Sequence, residues 1–168
     1  TRGFHSARRN SLQQLFVCGD VLERLDDDYQ MTTFRLDQYV TERDSTGRVL
    51  RHIVKERYDA ASLDPSERRA ADLADADLLK TDVSERMSDV YTKIEWQPIA
   101  KKWTLTKELL YKSGAPKIID TRDEKISPYF STPYDLPPGE HYGESRVMLY
   151  MGDCAALDNI AQRELDFA

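Results

Sequence analysis

The sequence predicts an α+β fold in which antiparallel β-hairpins are flanked by helices, and three observations predict it. Residues 33–58 alternate around the turn Asp44-Ser45-Thr46-Gly47, with Tyr39, Thr41 and Arg43 on one side of an extended chain and Val40 and Glu42 on the other. Residues 89–111 alternate again around Gln97-Pro98. Both ends of the chain switch to the 3- and 4-residue steps of amphipathic helices.

The bulk properties narrow the class. At 168 residues the chain buries one core and reads as a single domain. It starts at Thr1 with no signal-peptide pattern, which points to a fragment of a longer polypeptide, and it holds no apolar run able to span a bilayer. Cys18 and Cys154 sit beside apolar residues without metal-type spacing, so a reducing compartment and two small core residues are expected. With 24 basic against 30 acidic residues the net charge is −6, unlike a protein that grips phosphates over a wide face.

The elements follow in order. Residues 4–18 read as a helix with Leu12, Leu15 and Phe16 on its apolar stripe, joined by Ala7 or Ser11, and Gly19 ends it. Arg2, Arg8 and Arg9 form a basic cluster, read as a solvated helix start. Val21, Leu22 and Leu25 make a short strand that stops at Asp26-Asp27-Asp28, a solvated turn without the glycine-bearing spacing of a calcium loop. The first hairpin, 33–58, closes where Asp44 bonds its own backbone and Gly47 takes the left-handed conformation.

A surface helix over 64–79 opens on Asp64-Pro65-Ser66-Glu67, with a capping side chain, proline at the first helical position and Glu three residues beyond the cap. In the second hairpin, 89–111, Val90, Thr92, Ile94 and Trp96 share a face, and Trp96 stacks across the pair on Trp103. Residues 112–142 read as an irregular path holding Pro128, Pro133, Pro137 and Pro138, clamped by Tyr129, Phe130 and Tyr134. From 143 to 168 a helix carries Val147, Tyr150, Met151, Cys154, Leu157, Ile160, Ala161 and Leu165 as a stripe expected to be buried.

No catalytic motif stands out. His5, His52 and His141 are scattered, and HExxH, CxxC, a phosphate-binding glycine loop and a GxSxG elbow are all missing from the sequence. Neither a catalytic residue, a metal site nor a cofactor is expected. One rival reading is a small nucleic-acid-binding β module, in which Tyr91, Lys93, Trp96, Lys101, Lys102 and Trp103 form a stacking surface for single strands. The other is an unrecognised hydrolase, recognisable by a strongly perturbed carboxylate or histidine in a deep pocket.

The succession of elements resembles the portal, or head-to-tail connecting, proteins of short-tailed, podovirus-type DNA bacteriophages. The most specific stretches are QLFVCGD at 14–20, YVTERDSTGRVL at 39–50, and Gly139, Glu140, Tyr142, Gly143 and Ser145 followed by Tyr150, Gly152, Asp153, Leu157 and Asn159. The chain departs from the pattern at Glu144, often basic in the family, and at Met148 and Leu149, where acidic or polar residues are usual. A portal subunit is longer, so the resemblance covers only its middle section.

The resemblance implies a wing-like region over 1–138 and the start of a stem helix over 143–168. It implies a non-enzymatic homo-oligomeric ring of about a dozen copies at one vertex of the virion capsid, assembled in the host cytoplasm and away from membranes. Double-stranded DNA would pass through the ring. Terminase, major capsid and scaffolding proteins and a tail adaptor would be its partners, with ATP hydrolysis left to the terminase. Structural glycines are expected at Gly19, Gly47, Gly139, Gly143 and Gly152. Arg146, Asp153, Asp158, Arg163 and Glu164 are the candidates for the channel or the subunit contact. Residues 145–168 set two arginines against four carboxylates, and a ring with a side-chain net of −2 per copy would let DNA slide instead of holding it. Small residues at Gly152, Ala155, Ala156 and Ala161 suit close packing against a neighbouring copy.

Overall fold

A computed structural model describes residues 2–26, 28–71, 73, 87–110 and 115–166. Most of the expected helix 64–79 beyond Ala71 lies outside the described residues. Among the described residues the helices and strands are α1 (Arg2–Cys18), β1 (Asp20–Leu25), β2 (Met31–Phe34), β3 (Tyr39–Arg43), β4 (Val49–Asp59), α2 (Pro65–Ala70), β5 (Met87–Gln97), β6 (Lys102–Leu110), β7 (Lys117–Glu124), β8 (Tyr129–Pro133) and α3 (Arg146–Asp166). The α+β class with antiparallel sheets and a C-terminal helix is as expected.

Two antiparallel sheets, ordered β2-β1-β8 and β3-β4-β5-β6-β7, stack face to face. Leu22, Phe34 and Tyr129 from the smaller sheet meet Tyr39, Val54, Ile94 and Leu105 from the larger one. The Phe34 and Tyr129 rings stack at 5.9 Å. β1 is buried on both sides: Leu22 faces the larger sheet, while Glu23 accepts from Arg8 on α1 at 3.2 Å. A second cluster, Leu63, Ala71, Val90, Leu109 and Ile119, lies where α2 caps the far end of the larger sheet. Glu67 accepts from the Asp64 amide at 3.2 Å, the reciprocal half of a capping box, and reaches Lys107 at 3.0 Å. The outer face of the larger sheet is a lattice of ion pairs, such as Lys55–Asp89 and Lys93–Glu95, both at 2.8 Å.

Several expectations need correction. The first hairpin comprises β3 and β4 only. Thr33 and Phe34 belong to β2, which pairs with β1, because a 3-10 turn at Leu36–Gln38 breaks the run. The path 112–142 is not irregular throughout. β7 adds to the edge of β6, and β8 pairs with β1; Pro133 ends β8 on an outer strand, where a missing amide is tolerated. On α1 the face toward the sheet is Ala7, Ser11, Gln14, Leu15 and Cys18, whereas Leu12 and Phe16 of the expected stripe are about half exposed. The sheet below offers polar anchors to that face, as Gln14 Nε2 donates to Phe34 O at 2.6 Å.

The largest correction concerns α3. Every described side chain from Arg146 to Arg163 is exposed, so the expected buried stripe has no cover among the described residues. Cys154 is accordingly exposed and no core residue, while Cys18 is half-buried; both are free thiols.

Candidate functional site

What the fold positions most tightly is the root of α3. Gly19, the residue after α1, has φ +82 and its amide closes the helix on Leu15 O at 3.0 Å. Its backbone crosses that of Gly143 so closely that a Cβ on either glycine would overlap the other's backbone. Only two glycines permit this crossing. Gly19 O also accepts from Tyr134 N at 2.8 Å, and Ser145 follows as the N-cap of α3, its Oγ accepting from Met148 N at 2.9 Å. Ser145 is fully buried, so the helix leaves the body from a fixed, capped origin.

A buried polar cluster fastens this root to the strands. Asp20, 0% exposed, accepts from Tyr39 OH at 2.8 Å and from Ser131 Oγ at 3.0 Å, with Arg43 Nη2 at 3.8 Å. Arg43 in turn donates to Ser131 Oγ at 2.6 Å, to His141 O at 3.1 Å and to Gly47 O at 3.0 Å. β3 is an edge strand, and its outward amides are capped by the segment before α3: Thr41 N donates to Tyr142 OH and Arg43 N to His141 Nδ1, each at 3.0 Å. One arginine therefore ties the β3–β4 turn, β8 and the helix root together.

Burial drives the electrostatics here. It pushes the Asp20 carboxyl above its ordinary value, against hydrogen bonds from Tyr39 and Ser131, the nearby Arg43 guanidinium and the Gly143 amide, which pull it down. Burial, helped by Arg43, lowers His52 to about 4, so it stays neutral beside Thr41 Oγ1 at 3.0 Å. These are the kind of perturbed groups a hydrolase would display, and Asp20 and His52 are 0% and 1% exposed. Among the described residues no three His, Cys, Asp or Glu side chains gather to hold a metal.

The sequence-derived candidates occupy α3 without converging. Arg146 Nη1 donates to Tyr134 OH at 3.0 Å and the guanidinium lies 5.3 Å over the Tyr150 ring. Asp153 and Arg163 are exposed, and Asp158 Oδ2 accepts from Gln162 at 3.5 Å. At about 100° per residue, Arg146 and Asp153 fall on one side of the helix, with Asp158 and Arg163 on others; the Glu164 side chain lies outside the described residues. Among the glycines, Gly47 sits at φ +82 in its Asp44 turn and Gly139 at φ +86, while Gly152 has open space around it.

The expected stacking surface is split. Trp96 and Trp103 are opposite one another, ring centroids 5.5 Å apart, and Trp103 packs on the inner core. Tyr91 and Lys93 point from the other side of β5. Sequence reasoning missed the Asp20–Arg43–His141 cluster. Its visible trace was an arginine in register with Tyr39 and Thr41 on one strand face.

Known proteins are similar in sequence to most of the chain. A portal protein of Pseudomonas phage phiKMV is 28% identical over 160 residues, covering 90% of this chain and 29% of that protein. A portal protein of Escherichia phage T7 is 26% identical over 159 residues, covering 90% of the chain and 28% of the relative. The chain thus spans under a third of the length of these relatives. The family described as bacteriophage head to tail connecting protein matches residues 1–168, and the chain belongs to that family.

Proposed function

We propose that this chain is the wing and stem-start of a portal subunit, a structural part of the ring at a phage capsid vertex through which double-stranded DNA enters and leaves. The observation that carries this reading is α3: a helix of 21 residues, about 32 Å long, held at a buried, capped root and exposed along all its described side chains. A helix with that much uncovered apolar surface needs neighbours. A ring of copies supplies them without a free edge. The family match supports the same reading.

In such a ring the strand sandwich, residues up to about 138, forms the wing, and α3 runs toward the channel. The Arg146 and Asp153 side of α3 faces DNA. The excess of carboxylates on α3 keeps phosphates from binding tightly, so the duplex slides. Terminase, scaffolding and capsid proteins and a tail adaptor dock on the assembled ring, and the chain contributes no catalytic residue of its own.

Native mass spectrometry of the full-length encoded subunit tests this. A closed ring of about a dozen copies, each heavier than this chain, is expected; a stable monomer overturns the reading. In such rings Asp153→Lys should slow DNA packaging several-fold, with an effect that shrinks as salt rises. An unchanged packaging rate removes the channel assignment.

A further inference from the structure

Two exposed surfaces of this chain are complementary to one another. The first is the side of α1 turned away from the sheet, where Leu12, Phe16 and Val17 are 54%, 51% and 56% exposed around a groove of about 600 Å³ that Arg9 and Gln13 also line. The sequence of α1 holds three arginines and no carboxylate. Arg8 is already engaged with Glu23, which leaves Arg9 exposed at the groove.

The second surface lies on α3. Its Arg146 and Tyr150 side is engaged at the root with Tyr134 of the same copy. Helical phase places Met148, Met151, Cys154, Ala155 and Asp158 together on a different side. That side is apolar, narrow at Cys154 and Ala155, and acidic at Asp158.

We infer that the α1 groove of one copy receives the Met148–Asp158 side of α3 from the next copy, with Arg9 facing Asp158. Apolar surface then meets apolar surface and the basic helix meets the acidic one, the arrangement that fixes both partner and register. Because the two surfaces differ, the contact is head-to-tail and repeats from copy to copy until it closes. The contact rests on the ring reading above and adds to it the identity of the seam. It also leaves Asp153 on α3 free for the channel.

The test uses the full-length encoded subunit carrying Gln13→Cys, treated with a short bismaleimide that can join the introduced thiol to the native Cys154 of the next copy. A ladder of covalently joined subunits is expected, absent from the control that carries Cys154→Ser as well. Arg9→Glu and Asp158→Arg should each lower the fraction of subunits in rings by about tenfold, and the two together should restore most of it. Intact rings with neither ladder nor rescue would place the seam elsewhere and overturn the inference while leaving the ring standing. An unmodified subunit that forms no ring at all would instead overturn the ring reading and the seam with it.

Discussion

Leu22, Val54 and Ile94 in the strand sandwich are sealed from water, whereas on α3 seven large apolar side chains from Val147 to Ile160 are between 45% and 66% exposed. Both regions are rich in apolar residues, so composition does not separate them. The sandwich closes on itself because alternation sends each strand's apolar face toward the opposing sheet. Among the described residues no layer covers the side chains of α3 beyond its root, and in the ring proposed above neighbouring copies would supply one.

The largest effect should come from the crossing that joins the two regions. Gly143→Ala places a Cβ against Gly19 O, Pro133 and Tyr134 N, where backbone has to shift. A loss of about 3 kcal/mol or more in unfolding free energy is expected, read from urea titration. A loss below about 1 kcal/mol would mean that the root is not rigid, and the contrast between fixed body and projecting helix would weaken.

The body's own chemistry sharpens the comparison through pH. His52 is neutral in the fold, where burial holds it at about 4 against an ordinary value of 6.5, so the unfolded chain binds the extra proton first. Its contribution is fully present above pH 6.5 and is lost as pH falls toward 4, to a total of about 3 kcal/mol. His52→Gln should flatten the stability profile between these limits in urea titrations from about pH 7 to 4. Equal slopes for both proteins would show that the fold leaves the proton affinity of His52 unchanged.

The smallest effect on the isolated chain is expected where exposure is greatest. Met151→Gln and Leu157→Gln should each change unfolding free energy by less than about 0.5 kcal/mol, since both side chains are already in water. The same substitutions in the full-length subunit should lower ring yield, measured by native mass spectrometry. A large loss of stability in the isolated chain would show that α3 is covered by its own copy.

Much of the body was legible. The period-2 runs located β3–β4 and β5–β6, Gly19 and Gly47 marked a helix end and a turn, and Asp64-Pro65-Ser66-Glu67 marked the start of α2. β8 was missed because the prolines at 128 and 133 bracket it, and β7 because an edge strand that buries only Ile119 shows no apolar alternation. The α1 stripe was misjudged since Leu12 and Phe16 outweigh Ser11 and Gln14 in any hydrophobic pattern. The polar pair is what the sheet beneath holds, through the Phe34 carbonyl in the case of Gln14.

By itself the sequence determined the α+β class, the local punctuation of helices and turns, and a resemblance to head-to-tail connecting proteins that the family match bears out. These are short-range or whole-chain signals: a side-chain period, a cap, a left-handed glycine, an order of elements. Tertiary structure alone decided that the buried Asp20 and Arg43 and the exposed His141, far apart in the chain, meet at the root of α3. It also decided that the helix beyond that root stays uncovered. An apolar stripe states that a surface wants to be buried; only the arrangement of layers states whether this copy or its neighbour buries it.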